Sequence, residues 1–282
     1  MKKVLITGNS GYIGSHLSKL LDSEYELYGM DLKNPQYPIQ HHRKHDIRQS
    51  LPANANTFDA VIHLAALVNV GESTQRPTDY YMTNYIGTLN VLKAVKCKNF
   101  IFASTGAAEG CASPYGTSKR AAEDCVKEWC EYLKLPYTIF RFYNVIGSEG
   151  FEPTNQDGLM YNLFKAEERG EFTVYGNDYE QSHDGTCIRD YVHVMEICDA
   201  LKQAIEKSSN QIECLGHGVG YTVKEMVNLF QVVNNVDFSI KYGPRREGDL
   251  AVSVLENVSP YMKTLYTMED LLKIQKSVIL SA

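Results

Sequence analysis

The chain has 282 residues, of which 44% are hydrophobic and 22% charged, the balance of a globular protein with a sizeable core. Its net charge is -6 and its Lys and Arg residues are spread along the chain, so it lacks the clustered basic surface of a nucleic-acid binder. No apolar stretch approaches the roughly 20 residues that cross a bilayer, so we expect no membrane segment. A small-molecule partner is favoured.

The seven cysteines are scattered, without a Cys-x-x-Cys pair or a His/Cys cluster at metal-ligand spacing. We therefore expect reduced thiols, no bound metal and a cytoplasmic protein. The apolar run that follows Lys2-Lys3 stops at Thr7-Gly8, too early for a secretion signal. We interpret this run as a first strand.

Short apolar runs alternate with helical patterns as far as about residue 145, which is typical of repeated βαβ units. The predicted strands are 4–7, 26–30, 60–64, 99–103 and 138–142. The predicted helices, with apolar residues at helical spacing, are 15–21, 88–95 and 115–133. This pattern predicts an α/β fold with a Rossmann-type doubly wound parallel sheet.

From about Gly147 the sequence becomes irregular and rich in Gly, Asn, Asp and Pro, with predicted helices at 159–169, 194–206 and 222–232. We assign 1–147 to a nucleotide-binding domain and 148–282 to a smaller C-terminal α/β region that binds substrate. Part of 189–215 can return to the main sheet.

A glycine-rich segment, Gly8-Asn9-Ser10-Gly11-Tyr12-Ile13-Gly14, joins the first predicted strand to the first predicted helix. Its glycines permit a tight turn and let a pyrophosphate approach the helix N-terminus. Asp31 ends the next strand, where a carboxylate accepts hydrogen bonds from ribose hydroxyls and repels a 2′-phosphate. Together these features predict an NAD site, with NAD preferred over NADP, and argue against an ordinary strand-to-helix turn. Asp46-Ile47 lies in a polar loop and, taken alone, indicates a structural role.

Tyr115 and Lys119 lie four positions apart at the start of a predicted helix, so their side chains share one face. An ammonium group within about 4–6 Å typically lowers the pKa of a phenol by about 1–3 units, which makes it a usable general base. Thr105, just after the strand 99–103, is placed to bind the same substrate oxygen. Such a Tyr-Lys pair is frequent by chance on helix surfaces, but its order after the glycine loop and Asp31 favours a catalytic site.

Seven segments resemble sequence blocks of the extended short-chain dehydrogenase/reductase family, and within it those of the UDP-glucose 4-epimerases. They are 7–17 (TGNSGYIGSHL), 63–73 (HLAALVNVGES), 80–88 (YYMTNYIGT), 114–119 (PYGTSK), 141–147 (RFYNVIG), 176–194 (GNDYEQSHDGTCIRDYVHV) and 244–250 (PRREGDL). The resemblance implies an isomerase with tightly bound NAD that inverts C4 of a UDP-sugar through a transient 4-keto sugar. It also implies a homodimer that forms through the helices 88–95 and 115–133.

The resemblance assigns the catalytic roles to Thr105, Tyr115 and Lys119. With the loop glycines, it places the following residues around NAD: Gly8, Gly11, Tyr12, Ile13, Gly14, Asp31, Asp46, Ile47, Leu64, Ala65, Ala66, Asn84, Tyr115, Lys119 and Tyr143. It places these residues around the substrate: Thr105, Asn144, Tyr175, Arg189, Arg246, Asp249 and Ser253. The arginines can instead form solvated ion pairs, but their planar fork suits a diphosphate.

Several positions depart from the family pattern. Ser253 stands where galactose-specific epimerases carry a bulky Tyr, and members with a small residue there accept N-acetylated sugars, so UDP-GlcNAc and UDP-GalNAc are further candidate substrates. Only ten positions separate Thr105 from Tyr115, so we expect a more open cleft on that side. The other departures are Val68 for Lys, Glu109 for an aromatic residue, and Asp157-Gly158-Leu159 for Asn-Asn-Leu.

Three alternatives share this fold. Nucleotide-sugar 4,6-dehydratases place Asp-Glu directly after the catalytic Thr, whereas this chain has Gly106-Ala107, which argues against dehydration. Decarboxylation of a uronic acid remains open, with a poorer match on the substrate side. A non-catalytic NAD-binding sensor also remains open, although the intact Thr105, Tyr115 and Lys119 argue against it.

Overall fold

The computed structural model describes residues 1–51, 57–151, 153, 155, 158–246 and 248–273, so the departure at Asp157 lies outside the described residues. The chain packs as two compact units. The first comprises Met1–Phe142 with Cys198–Glu213, and the second comprises Tyr143–Ile197 with the chain from Cys214 onward.

The strands are β1 (Lys2–Thr7), β2 (Tyr25–Asp31), β3 (His41–Lys44), β4 (Thr57–Phe58), β5 (Ala60–His63), β6 (Lys96–Cys97), β7 (Phe100–Thr105), β8 (Tyr137–Phe142), β9 (Asn144–Ile146), β10 (Glu171–Tyr175), β11 (Ile188–His193), β12 (Ile212–Leu215), β13 (Gly220–Thr222), β14 (Ser239–Gly243) and β15 (Val252–Ser253). The helices are α1 (Tyr12–Leu21), α2 (Val70–Gln75), α3 (Pro77–Tyr80), a π-helix (Tyr81–Ile86), α4 (Gly87–Ala94), α5 (Ala107–Gly110), α6 (Pro114–Leu133), α7 (Leu159–Arg169), α8 (Val194–Glu206), α9 (Val223–Asn234) and α10 (Met268–Leu272).

The main sheet has seven strands in the order β12-β8-β7-β5-β1-β2-β3. Neighbours from β8 to β3 pair in parallel, with Thr7 opposite Met30 on β2 and His63 on β5. The strand order reverses between β1 and β5, and ligands of open α/β sheets bind at the carboxyl ends of the strands beside such a reversal. The prediction of a doubly wound parallel sheet is confirmed.

The core of the first unit forms because strands β5 and β8 are buried along their whole length. Apolar strand residues such as Leu5, Val61 and Phe102 pack with Val91 of α4 and Val126 of α6. Each fully buried side chain of this size stabilises the fold by roughly 1.5–3 kcal/mol. This packing fixes the positions of the strand ends that carry the candidate residues.

Helix α6 begins at a strong local signal. Ser113 is its N-cap and accepts a hydrogen bond from the amide of Gly116 at 3.2 Å, while Pro114 opens the first turn. Its buried stripe runs from Tyr115 to Cys130, and the helix ends where Lys134 adopts a φ of 53°. Tyr115 and Lys119 therefore lie in the first turns of a long, well-capped helix.

The second unit has its own small sheets and core. Strand β11 pairs with β9 and β15 in parallel and with β13 in antiparallel, and β10 pairs with β14. Its apolar core includes Leu163 of α7, Phe172 of β10 and Phe230 of α9. Across the described parts of both units, we find no helix with the length and apolar character needed to cross a bilayer.

Candidate active site

The glycine-rich loop follows β1 and leads directly into α1. Gly8 has a φ of +77°, and a Cβ there would lie 2.7 Å from the backbone nitrogen of Ala65. A Cβ on Gly14 would lie 2.2 Å from the carbonyl oxygen of Gly8. Gly11 is the N-cap of α1 and brings no side chain. The loop thus lets a diphosphate approach the N-terminus of α1 closely.

Tyr12 and Ile13 form the first turn of α1. The Tyr12 ring meets His16 edge-on, with ring centroids 5.0 Å apart, and burial raises the pKa of its phenol. The Ile13 carbonyl faces the thiol of Cys198 at 3.9 Å. The Tyr12 phenol is therefore neutral, and its predicted contact with NAD stays a prediction.

Asp31 ends β2 beside the glycine loop. Its carboxylate accepts hydrogen bonds from the backbone amides of Ser10 at 3.1 Å and Lys33 at 3.0 Å. These bonds fix the carboxylate at the edge of the sheet where such folds recognise ribose hydroxyls.

Asp46 and Ile47 follow β3. Asp46 pairs with the guanidinium of Arg48 at 2.6 Å, and hydrogen bonds from that group lower the pKa of the carboxyl. Ile47 is buried, and its carbonyl accepts a hydrogen bond from the Asn90 amide at 2.9 Å. Both residues therefore have structural partners at this edge of the sheet.

The segment Leu64–Ala66 leaves β5 next to the glycine loop. The amides of Leu64 and Ala65 donate to the carbonyl and hydroxyl oxygens of Thr7 at 3.0 and 3.3 Å. Asn84 is fully buried in the π-helix, where it bonds both backbone groups of Leu67. These contacts bring the expected cofactor residues after β1 and β5 together.

Thr105 and Tyr115 meet at the carboxyl end of β7. Burial raises the pKa of the Tyr115 phenol, and its interaction with the Thr105 side chain opposes that rise. The amide of Ala107 also donates to the Thr105 hydroxyl at 3.2 Å. The structure therefore places Tyr115, the expected base, next to Thr105, its expected partner.

Lys119 lies one turn further along α6. Its ammonium group donates to the carbonyl of Ala103 at 2.5 Å and lies 4.2 Å from the centroid of the Phe102 ring. Burial lowers its pKa to about 7. We expected this charge to lower the pKa of Tyr115; here burial dominates at Tyr115, and the opposing effect comes from Thr105.

In the second unit, several expected substrate residues gather around β11. Arg189 lies 3.6 Å from the Asp249 carboxylate, and it pairs in register with Ser253 of β15. Asn144 of β9 donates to the carbonyl of Asp190 at 3.0 Å. Arg189, Asp249 and Ser253 thus form one group.

Tyr175 ends β10, and the Arg246 guanidinium lies 4.2 Å from the centroid of its ring. The neighbouring Arg245 stacks on Tyr179 and pairs with Asp178 at 2.7 Å. The two adjacent arginines therefore have different partners. The remaining expected residue of this unit, Tyr143, donates its amide to Leu215 at 3.0 Å.

Comparison with known protein families identifies the chain. Residues 4–214 match the model of the NAD dependent epimerase/dehydratase family. The chain belongs to this family. The match covers the glycine loop, Asp31, Thr105, Tyr115 and Lys119. The family expected from the sequence is therefore confirmed.

Individual members of the family are similar over nearly the whole chain. UDP-glucose 4-epimerase from Haemophilus influenzae is 32% identical, with 88% of this chain and 87% of that protein covered. The structure of UDP-glucose 4-epimerase from Bifidobacterium longum with NAD+ and UDP has a TM-score of 0.85 at 26% identity and 96% coverage of both chains. The UDP-Glc/GlcNAc 4-epimerase from Campylobacter jejuni has a TM-score of 0.76 at 25% identity and covers 96% of this chain and 97% of its own.

Two of the departures from the family pattern, the short loop and Glu109, lie near Thr105. The short connection to α6 holds the single turn of α5 and then Cys111 in a left-handed conformation with φ 49°. Glu109 is exposed, with a carboxylate 4.0 Å from Arg141. Val68 is also exposed. An acidic group therefore stands in this family member where an aromatic residue is usual.

The structure adds residues to the site that sequence reasoning missed. Ser118 accepts a hydrogen bond from Asn84 at 3.1 Å and donates to the Tyr115 carbonyl at 2.8 Å. His63 bridges the hydroxyls of Thr7 at 2.6 Å and Thr88 at 3.0 Å. Ser118 and His63 stand inside quoted blocks, so their burial beside Tyr115 and β1 was the missing information.

Proposed function

We propose that this chain inverts C4 of UDP-hexoses, both UDP-glucose/UDP-galactose and UDP-GlcNAc/UDP-GalNAc, with Thr105, Tyr115 and Lys119 as the catalytic residues. The broader expectation, an NAD-dependent nucleotide-sugar 4-epimerase, is confirmed by the family and by the relatives. The observation that carries the residue assignment is that Thr105 ends β7 and Tyr115 lies in the first turn of α6, whose Lys119 donates to Ala103 of the same strand, at the sheet edge that also holds the glycine loop.

The first unit fits NAD. Side chains at Gly8 and Gly14 would collide with backbone at 2.7 and 2.2 Å, so the tight turn of the loop between β1 and α1 depends on glycine. Asp31 would hold the adenosine ribose, and the residues after β5 would line the next part of the dinucleotide. When bound, NAD would supply the hydride acceptor for oxidation at C4 and, once reduced, the hydride donor for the return.

Residues of the site accept the proton of the C4 hydroxyl and stabilise the group that accepts it. Tyr115 accepts the proton of the C4 hydroxyl, and Thr105 holds the same oxygen by a hydrogen bond. Because burial raises the pKa of Tyr115, the phenolate needs a nearby positive charge. Lys119, in its ammonium form, supplies that charge from the same face of α6.

The second unit binds the nucleotide part of the substrate in this proposal. Arg189 and Arg246 present guanidinium groups that suit a diphosphate, and Asp249 and Asn144 suit hydroxyl groups. Tyr175 supplies an aromatic face for the base. Ser253 leaves room where a larger side chain would exclude an N-acetyl group.

The test is a panel of four UDP-sugars incubated with the purified protein and followed by NMR for inversion at C4. We expect turnover of both the hexose and the N-acetylhexosamine pairs, and loss of the N-acetylated pair in Ser253→Tyr. Turnover of the hexose pair alone by the wild type would refute the wider specificity. No turnover with NAD still bound would favour the non-catalytic sensor.

We further propose a cytoplasmic homodimer that forms through α4 and α6. The outer surface of α6 carries a groove lined by Tyr85, Ala121, Asp124, Cys125, Glu128 and Trp129. Tyr81 and Met82 of the π-helix are also exposed. Light scattering should give twice the chain mass for the wild type and a monomer for Ala121→Arg; a monomeric wild type would contradict the proposal.

A further inference from the structure

Three side chains of α6 at every fourth position face the last three residues of β7. The contacts are Lys119 with the carbonyl of Ala103, Glu123 with the hydroxyl of Ser104, and Tyr115 with the hydroxyl of Thr105. Two of these pairs belong to the proposed catalytic site. The third, at Glu123, has no role in the mechanism described so far.

Glu123 is held by charged and polar partners inside the core. Its two carboxylate oxygens accept hydrogen bonds from Arg141 at 2.9 and 2.7 Å, and Ser104 donates a further one. The side chains of Glu123 and Arg141 are 0% and 9% exposed. Ser104 and Arg141 are neighbours in the β7–β8 ladder, so Glu123 fastens α6 to both strands.

A buried ion pair of this kind is weak support for stability, because desolvation of the two charges offsets their attraction. Apolar side chains of similar volume would serve the fold as well or better. Besides its partner Arg141, Glu123 lies one turn from Lys119 on the same face of α6, and the two side chains contact the adjacent residues Ser104 and Ala103, so the Glu123 charge can act on the Lys119 ammonium.

Titratable groups approach Lys119 from several elements. They are His63 on β5 and Glu123 on α6, and Arg141 on β8 acts through its bond to Glu123. Tyr115 precedes Lys119 by one turn of the same helix. Burial lowers the pKa of Lys119 to about 7, and the charge of Glu123 raises it. Because burial lowers the pKa of His63 to about 3, its ring is neutral near neutral pH and adds no positive charge.

We propose that Glu123 is a positioning residue whose carboxylate, fixed by Ser104 and Arg141, keeps Lys119 positively charged beside Tyr115. This inference rests on the proposed function, in which the Lys119 ammonium stabilises the Tyr115 phenolate. Above the pH at which Lys119 loses its proton, that stabilisation is lost and turnover falls. Glu123 therefore sets the upper pH limit of activity.

The test compares Glu123→Gln with Glu123→Asp in the full chain. Gln removes the charge and keeps the shape, whereas Asp keeps the charge and shortens the reach. We expect Gln to move the alkaline limb of the kcat/KM profile down by about one pH unit, and Asp to leave it near its wild-type position. Arg141 stays in place in both variants.

A second measurement does not depend on turnover. The Lys119 ammonium is titrated by NMR in protein with isotope-labelled lysine, with its signal assigned by its loss in Lys119→Met. We expect its midpoint to fall in Glu123→Gln by the same amount as the alkaline limb. If the wild type shows no epimerase activity, the proposed function fails, but this titration still decides the role of Glu123.

A purely structural role predicts a different result. Glu123→Gln would then lower activity only in proportion to folded protein, with the alkaline limb and the Lys119 midpoint unmoved, and that outcome would overturn the proposal. Should Glu123→Gln fail to fold, Glu123→Gln/Arg141→Met removes both charges without leaving one unpaired in the core. Its reference is Arg141→Met, which differs from it only in the Glu123 charge, and the Lys119 midpoint must be lower in the double variant than in that reference.

Discussion

The first unit carries its candidate residues at the ends of regular elements, whereas the second carries them on short strands and loops. Gly8 directly follows β1 and Asp31 ends β2, both parallel strands of the main sheet, so backbone packing fixes them. In the second unit, Arg189 and Asp249 are held by each other, and Arg246 is held against Tyr175. A ligand can replace side-chain contacts such as these at a small cost in free energy. Substitutions in the first unit should therefore change chemistry or cofactor binding, and those in the second should change substrate affinity.

The largest effect expected from this contrast follows Tyr115→Phe. The variant lacks the phenol that accepts the C4 proton, so kcat should fall by about 10²–10⁴-fold. Because the ring and its packing remain, bound NAD should stay at the wild-type level. Turnover is measured with the UDP-sugar that the wild type uses best, and NAD by its absorbance after release. Near-normal turnover would refute the assignment of Tyr115 as the base.

The second unit offers a matched pair of neighbouring arginines. Arg246→Met removes a charge-assisted contact to the proposed diphosphate, so KM should rise by about 10–100-fold with kcat little changed. Arg245→Met breaks an exposed ion pair with Asp178 and should change KM by less than about threefold. Equal effects of the two changes would mean that the effect of charge is general and that Arg246 makes no specific contact. If Arg246→Met lowered only kcat, the second unit would not act on substrate affinity alone, and the expected difference between the two units would be wrong.

A smaller effect is expected for Asp31→Ser in the first unit. Loss of the carboxylate removes its bonds to ribose hydroxyls and its repulsion of a 2′-phosphate, so NAD affinity should fall by about tenfold and the preference over NADP should narrow. Isothermal titration with both dinucleotides measures the change. Asp31→Asn is the control for size, because it keeps an acceptor for the amides of Ser10 and Lys33. An unchanged ratio of the two affinities would remove Asp31 from cofactor selection.

The regular elements of the first unit were predictable because their signals are local. The strand expected at 138–142 is Tyr137–Phe142, and the helix expected at 115–133 is Pro114–Leu133. Apolar periodicity and a Ser-Pro start suffice for such elements. The residues of the glycine loop could be identified for the same reason.

Contacts between distant residues were not predictable in this way. Arg189 pairs with Ser253 in register, although the strand that holds Ser253 has only two residues and no periodic pattern. The π-helix that positions Asn84 could not be predicted from apolar spacing either, because its i→i+5 hydrogen bonds change the spacing that an α-helix would show. Likewise, the pairing of Glu123 with Arg141 depends on the packing of α6 against β8. The bounds of regular elements thus follow from local sequence, whereas the contacts that hold Asn84, Glu123 and Arg189 depend on tertiary packing in both units.

The smallest expected effect concerns stability and the buried His63 of the first unit. Burial lowers the pKa of His63 to about 3, and the charge of Lys119 acts in the same direction. An unfolded histidine titrates near about 6.5, so below that pH the unfolded state binds a proton that the folded state refuses. The free energy of unfolding should therefore fall by about 1.4 kcal/mol per pH unit from this residue as the pH drops from about 6.5 towards about 3, and should be insensitive to it at higher pH.

Urea unfolding at several pH values, followed by circular dichroism, measures this slope. His63→Gln has no ring to protonate, so its slope below about pH 6.5 should be shallower than that of the wild type by about 1.4 kcal/mol per pH unit. His183→Gln is the matched control, because it changes an exposed ring in the second unit, and its slope is compared with the wild-type slope. If His63→Gln also keeps that slope, His63 is not a neutral bridge between Thr7 and Thr88. The acid sensitivity of the first unit would then come from other groups, and the fixed backbone at the end of β1 would not depend on this histidine.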